Sequence, residues 1–198
     1  MIKFFGEPWD GLLNALLILV GFYGGILCIG FLMNKIELLF VKGLTRIFGT
    51  KVSLFICNRL TWPGVVLHEY SHAFFGFLFG AKITKIRTLE VFKGDQLGHV
   101  EFYTAGNSMH QCFQYTFIAC APTIMGSLFL LLLILVFWMK VNFWLQYVLI
   151  VYFSFAILCH MSMSPSDVKN YIRGFKWVLP LSYVIIYLAR IFFIKFMA

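Results

Sequence analysis

Charge is what this chain has least of. Only 12% of its 198 residues are Asp, Glu, Lys or Arg, and eight of those are acidic, while 61% are hydrophobic. A water-soluble domain of this length needs more charge to cover its surface, so the composition points to a membrane. Organised cysteine is also missing. The five cysteines (Cys28, Cys57, Cys112, Cys120, Cys159) are scattered, form no Cys-x-x-Cys pair and mostly sit in apolar runs. Free Cys there behaves as a small hydrophobe, which excludes a disulfide framework and a Cys-based zinc site. The shortage of acid leaves a formal net charge of +8, which invites a nucleic-acid partner. The Lys and Arg lie mostly between apolar spans, where anionic headgroups of a lipid bilayer meet them. No nucleic-acid partner is expected.

What is present in quantity is long apolar sequence. Residues 12–33 suffice to cross a hydrocarbon core of about 30 Å and are too long for a signal-peptide core, so a retained transmembrane helix is expected. Over residues 34–60, Ile36, Leu39, Phe40, Leu44, Ile47 and Phe48 recur at helical spacing, with Lys35, Lys42 and Arg46 on another face. That pattern predicts a basic amphipathic helix in the interface plane, the alternative being a basic loop broken at Gly43 and Gly49. Thr61 and Pro63 supply an N-cap and a first-turn proline for the next helix. β-branched and aromatic residues either side of Lys93-Gly-Asp-Gln96 predict a hairpin over 83–103. Further apolar spans follow at 113–139, interrupted by Pro122 and Gly126, at 143–163 and at 177–197. The expected fold is a single domain, 1–198: an all-α, multi-pass membrane bundle of about five transmembrane helices with a short β-hairpin. Basic loops fall on both sides, so charge sets no orientation. The expected location is the cell membrane.

The stretch that carries chemistry is Trp62 to Ala81. It holds His68-Glu-Tyr-Ser-His72 and no other charged or imidazole side chain. Residues four apart share a helix face, so both imidazoles can reach one metal ion. Glu69 lies one step round, free to act as a base. Two His ligands with a Glu general base is the arrangement of zinc peptidases. Placing these three groups in an otherwise apolar helix is costly unless they are paired or bound to metal. Zn²⁺ is therefore the expected cofactor, with two satisfied core histidines as the plainer alternative.

A catalytic zinc takes a third protein ligand. The candidates are Glu90, Asp95, His99, Glu101, His110, His160 and Asp167. His160 and Asp167 flank Pro165 at the end of an apolar span, where a broken helix can turn a ligand inward. A carboxylate also balances zinc charge better than a third imidazole, which favours Asp167 over His160. The plainer alternative for Asp167 is an N-cap of the segment beginning near Val168, since Ser164-Pro-Ser-Asp167 is good cap chemistry, and one residue can do both.

His68-Glu-Tyr-Ser-His72-Ala, with Gly80 and Ala-Lys-Ile-Thr-Lys-Ile beyond it, resembles the site-2 protease family of intramembrane zinc metallopeptidases. Gly98-His-Val100 and Ala121-Pro122 are loosely similar to later stretches of that family. Asp167 occupies the place of its Leu-Asp-Gly ligand, flanked here by Ser166 and Val168. The resemblance implies a small, divergent zinc endopeptidase, with His68, His72 and Asp167 as ligands and Glu69 as catalytic base. Its substrate would be a membrane-embedded or membrane-associated protein or peptide, selected by the bundle itself. Two rival functions remain: a membrane-surface zinc peptidase trimming secreted or lipidated peptides, and a non-enzymatic zinc-binding immunity or sequestering factor.

Overall fold

The computed structural model describes residues 9–88, 98–138 and 143–197. Among these are five α-helices, a π-helical turn and two strands. Helix α1 spans Trp9–Leu54, the π turn Phe55–Leu60 and α2 Trp62–Leu78. Strands β1 (Lys82–Arg87) and β2 (His99–Tyr103) follow, then α3 (Ser108–Trp138), α4 (Trp144–Leu158) and α5 (Pro165–Met197). Three stretches are long and apolar enough to cross a membrane: Gly11–Leu60, Ser108–Phe137 and Pro165–Phe192. Helices α2 and α4, with 17 and 15 residues, are shorter than the expected five full spans require.

Residues 34–60 are not a separate interfacial helix: residues 34–54 continue α1 and 55–60 form the π turn. Gly43 costs about 1 kcal/mol relative to Ala inside a helix and does not end one. The break comes at Gly49, whose φ of 77° lies in the left-handed region that glycine adopts freely. At the other end of the chain the last helix begins at Pro165 rather than near 177, and Pro180 lies inside it.

The strands pair antiparallel with Lys82 opposite Tyr103 and Arg87 opposite His99, and a bulge falls between Ile83 and Lys85. The predicted turn at 93–96 lies outside the described residues. The hairpin folds back on α2 because that helix ends sharply. Gly80 takes φ 69°, Ala81 N–H donates to Gly76 O at 2.8 Å and Gly80 N–H to Phe77 O at 3.1 Å. This is a Schellman stop, which satisfies carbonyls that have no partner within the helix.

The core lies among α1, α3 and α5, where Leu19, Tyr23, Cys112, Ala119, Cys120, Met163, Tyr171 and Val178 form one buried cluster. Tyr171 donates to Tyr23 O at 3.2 Å, and the Tyr23 and Ser182 hydroxyls bond at 2.8 Å, tying α1 to α5. Helix α2 is held from α3. His110 Nε2 and Gln114 Nε2 both donate to Phe79 O, at 2.8 and 2.9 Å, while Gln114 Oε1 accepts from Ala105 N–H at 2.9 Å. These bonds set the depth at which α2 carries His68 and His72.

Candidate metal centre

Helical spacing brings His68 and His72 together, with Nε2 to Nε2 at 3.1 Å. Asp167 Oδ1 lies 3.6 Å from His72 Nε2, and the ligand atoms of all three residues fall within 4.8 Å of one another. His72 and Asp167 are buried, and His68 is partly so.

The other ring nitrogens decide which protons are present. His68 Nδ1–H donates to His160 O at 2.6 Å, and His72 Nδ1–H to Ile118 O at 2.7 Å. A carbonyl only accepts, so each ring carries a proton on Nδ1, and in its neutral form each ring then presents a bare Nε2 lone pair. Two such lone pairs 3.1 Å apart, with a carboxylate oxygen beside them, make a cluster of acceptors with no donor. A cation resolves that conflict. Two nitrogens sharing a tetrahedral zinc at about 2.0–2.1 Å sit roughly 3.3 Å apart, so the donor set and its spacing fit Zn²⁺.

Both orienting carbonyls are left over by interrupted helices. Ile118 O would accept from residue 122 in a regular α-helix, but residue 122 is proline and has no N–H. His72 takes that place. Pro122→Ala restores a competing donor, and second-shell partners of this kind typically change metal affinity by 10–100-fold. We expect Pro122→Ala to weaken zinc binding by about tenfold, read by competition with a chelating dye. His160 O lies just past the C-terminus of α4, where helix carbonyls lack internal partners.

The segment after α4 is Met161-Ser-Met-Ser164, and it alternates. Met161 and Met163 are buried, against Gly126 of α3 and Gly30 of α1, while Ser162 and Ser164 line the cavity. Thr123 Oγ1 donates to Met161 O at 3.0 Å and anchors the segment to α3. Ser164 then caps α5. Its hydroxyl accepts from Asp167 N–H at 3.2 Å, and Asp167 Oδ2 accepts from Ser164 N–H at 2.9 Å and Ser164 Oγ at 2.6 Å. This reciprocal capping box makes Ser164 the N-cap and Asp167 the third helical residue, not the cap of a helix starting near Val168. One carboxylate oxygen holds the helix, and the other faces the histidines.

Glu69 is buried and lines the same cavity, of about 500 Å³. A Cβ on Gly98 would lie 2.8 Å from Glu69 Cγ and 2.5 Å from Arg87 O, so glycine lets β2 start against Glu69. Of the other candidates, His99 and His160 also line this cavity but stand outside the ligand group. His160 directs its ring away, Nε2 bonding Thr61 Oγ1 at 2.8 Å, while the Thr61 hydroxyl donates to Cys57 O at 2.6 Å. Bound that way, Thr61 does not cap α2 with its side chain. His160 also packs at the α2–α4 contact, where a Cβ on Gly64 would overlap the Ala156 carbonyl. His99 pairs with Glu101 at 3.3 Å on the half-buried strand β2, and His110 serves Phe79 O. Glu90 and Asp95 lie outside the described residues. One acidic residue of this cavity was absent from the sequence candidates: Glu37 of α1, whose Oε2 accepts from Ser162 Oγ at 2.8 Å. The available signal was its isolation, since no other acidic residue occurs between Asp10 and Glu69.

Comparison with protein-family models, with curated proteins and with solved structures finds no match, so the reading of this centre rests on its own geometry.

Proposed function

We propose that the chain is a multi-pass membrane zinc endopeptidase that hydrolyses a peptide bond of a membrane-embedded or membrane-associated protein or peptide. The observation that carries this is the pair of bare Nε2 lone pairs facing each other at 3.1 Å, with Asp167 and Glu69 in the same cavity. In this reading α1, α3 and α5 cross the bilayer, and α2 carries the centre within its thickness. The 46 residues of α1 rise about 69 Å, so part of that helix lies beyond a core of about 30 Å.

His68, His72 and Asp167 would hold the zinc, which would supply Lewis acidity toward the scissile carbonyl and make water more acidic. Glu69 does the proton work. Its carboxylate takes a proton from the attacking water as the oxygen bonds to the scissile carbon, then delivers it to the amide nitrogen as the C–N bond breaks. His68 and His72 keep their Nδ1 protons on backbone carbonyls throughout, which fixes their orientation.

The test uses purified protein in detergent with a membrane-anchored peptide. A chelator abolishes cleavage and added zinc restores it. Asp167→Ala lowers zinc retention and abolishes cleavage. His160→Ala keeps zinc, because its backbone carbonyl remains, although loss of the buried Thr61 bond lowers thermal stability. Zinc loss in His160→Ala with retention in Asp167→Ala transfers the ligand role. A zinc-loaded chain that cuts nothing favours the binding-protein alternative.

A further inference from the structure

The reaction above gives Glu37 no task, yet its carboxylate lines the same cavity as the metal centre. Carrying a carboxylate in an apolar bundle is costly unless a partner compensates it. Among the described residues Glu37 forms no ion pair, and its one hydrogen bond is from Ser162. Asn34, one turn earlier on the same face of α1, and Asn170 of α5 line the cavity with it, and neither side chain is hydrogen-bonded to a described residue. Ser162 belongs to the alternating segment whose neighbours hold the centre, His160 O on His68 and Ser164 on Asp167. The carboxylate is thus tied directly to the scaffold of the reacting site.

We propose that Glu37 is a specificity-determining residue that binds a cationic group of the peptide, a Lys or Arg side chain or a free α-amine, near the bond to be cut. This rests on the peptidase reading. A carboxylate with two free amides offers acceptors for an ammonium or guanidinium, and it repels an anion. One formal charge flanked by neutral amides is a weak donor set for a second metal. If Glu37 only anchored Ser162, its charge would be dispensable, because a glutamine oxygen accepts the same hydroxyl.

The test separates binding from cleavage by using the full chain with Glu69→Gln, zinc-loaded, in detergent. Labelled apolar peptides carry one Lys walked along their length, against norleucine at the same position, each with a free or an acetylated N-terminus. Fluorescence anisotropy is expected to show roughly tenfold tighter binding of the cationic peptide at one register, as charge-assisted contacts give. Adding Glu37→Gln brings the ratio to about one, and Glu37→Lys reverses it in favour of Glu peptides. Preference abolished by acetylation assigns the cation to the α-amine; preference that needs Lys assigns it to a side chain. Absent binding, equal binding of Lys and norleucine peptides, or a ratio untouched by Glu37→Gln overturns the inference. If cleavage by the Glu69 chain persists without selectivity, the peptidase reading stands alone. Selective binding without any cleavage overturns the peptidase reading and leaves Glu37 as the cation contact.

Discussion

A chain carrying both His68→Ala and His72→Ala is expected to hold no zinc after purification, against an expected content of about one ion per chain in the wild type. The expectation is all-or-none because the two substitutions remove both nitrogens of a three-residue donor set and leave Asp167 alone. A single carboxylate with one oxygen already engaged by Ser164 cannot retain zinc through dialysis. Ala is the best helix former, so α2 itself gains rather than loses local propensity. Whatever stability zinc adds by binding only the folded state disappears with it, and the double mutant melts where the chelated wild type melts. Elemental analysis reads the first effect and thermal denaturation in detergent the second. Stoichiometric zinc in the double mutant would place the metal elsewhere.

Glu69→Gln has the opposite signature. Zinc content holds, thermal stability does not fall, and cleavage drops by on the order of 10²–10⁴, the usual worth of a general base. Zinc holds because Glu69 is outside the group of ligand atoms that lie within 4.8 Å of one another. Stability holds because glutamine keeps the shape against Gly98 while removing a charge from a buried position. A variant that loses zinc as well as activity would make Glu69 a ligand or a support for one. Wild-type activity in the variant removes the base from the mechanism.

How much of this was legible in the sequence depends on how local each feature is. His68, Glu69 and His72 could be placed relative to one another because five consecutive residues of a helix fix their own geometry. The hairpin was visible in its β-branched strands, and its observed register begins at Lys82. Asp167 could be narrowed to a strong candidate from Pro165 and the apolar span before it, but its approach to His72 depends on α5 packing against α1 and α3. The groups that orient the imidazoles were hidden because they are backbone carbonyls. Pro122 marks an interruption of its span, whereas its consequence at the site is a carbonyl freed for His72. Glu37 falls within residues 34–60, whose basic amphipathic pattern predicts an interfacial helix, so nothing local ties it to a buried cavity. The Met-Ser-Met-Ser alternation was available as a period of two, the sign of an extended segment buried on one face.

The most direct measurement is a comparison of protein N-termini in membranes of cells making the wild type or Glu69→Gln, labelled at free amines and read by mass spectrometry. Hydrolysis creates a new N-terminus at every cut, and zinc binding alone creates none. The peptidase reading predicts new N-termini within or beside apolar segments of membrane-anchored proteins, present with the wild type and missing with Glu69→Gln at equal protein and zinc content. Identical sets of N-termini from the two zinc-loaded chains would contradict it.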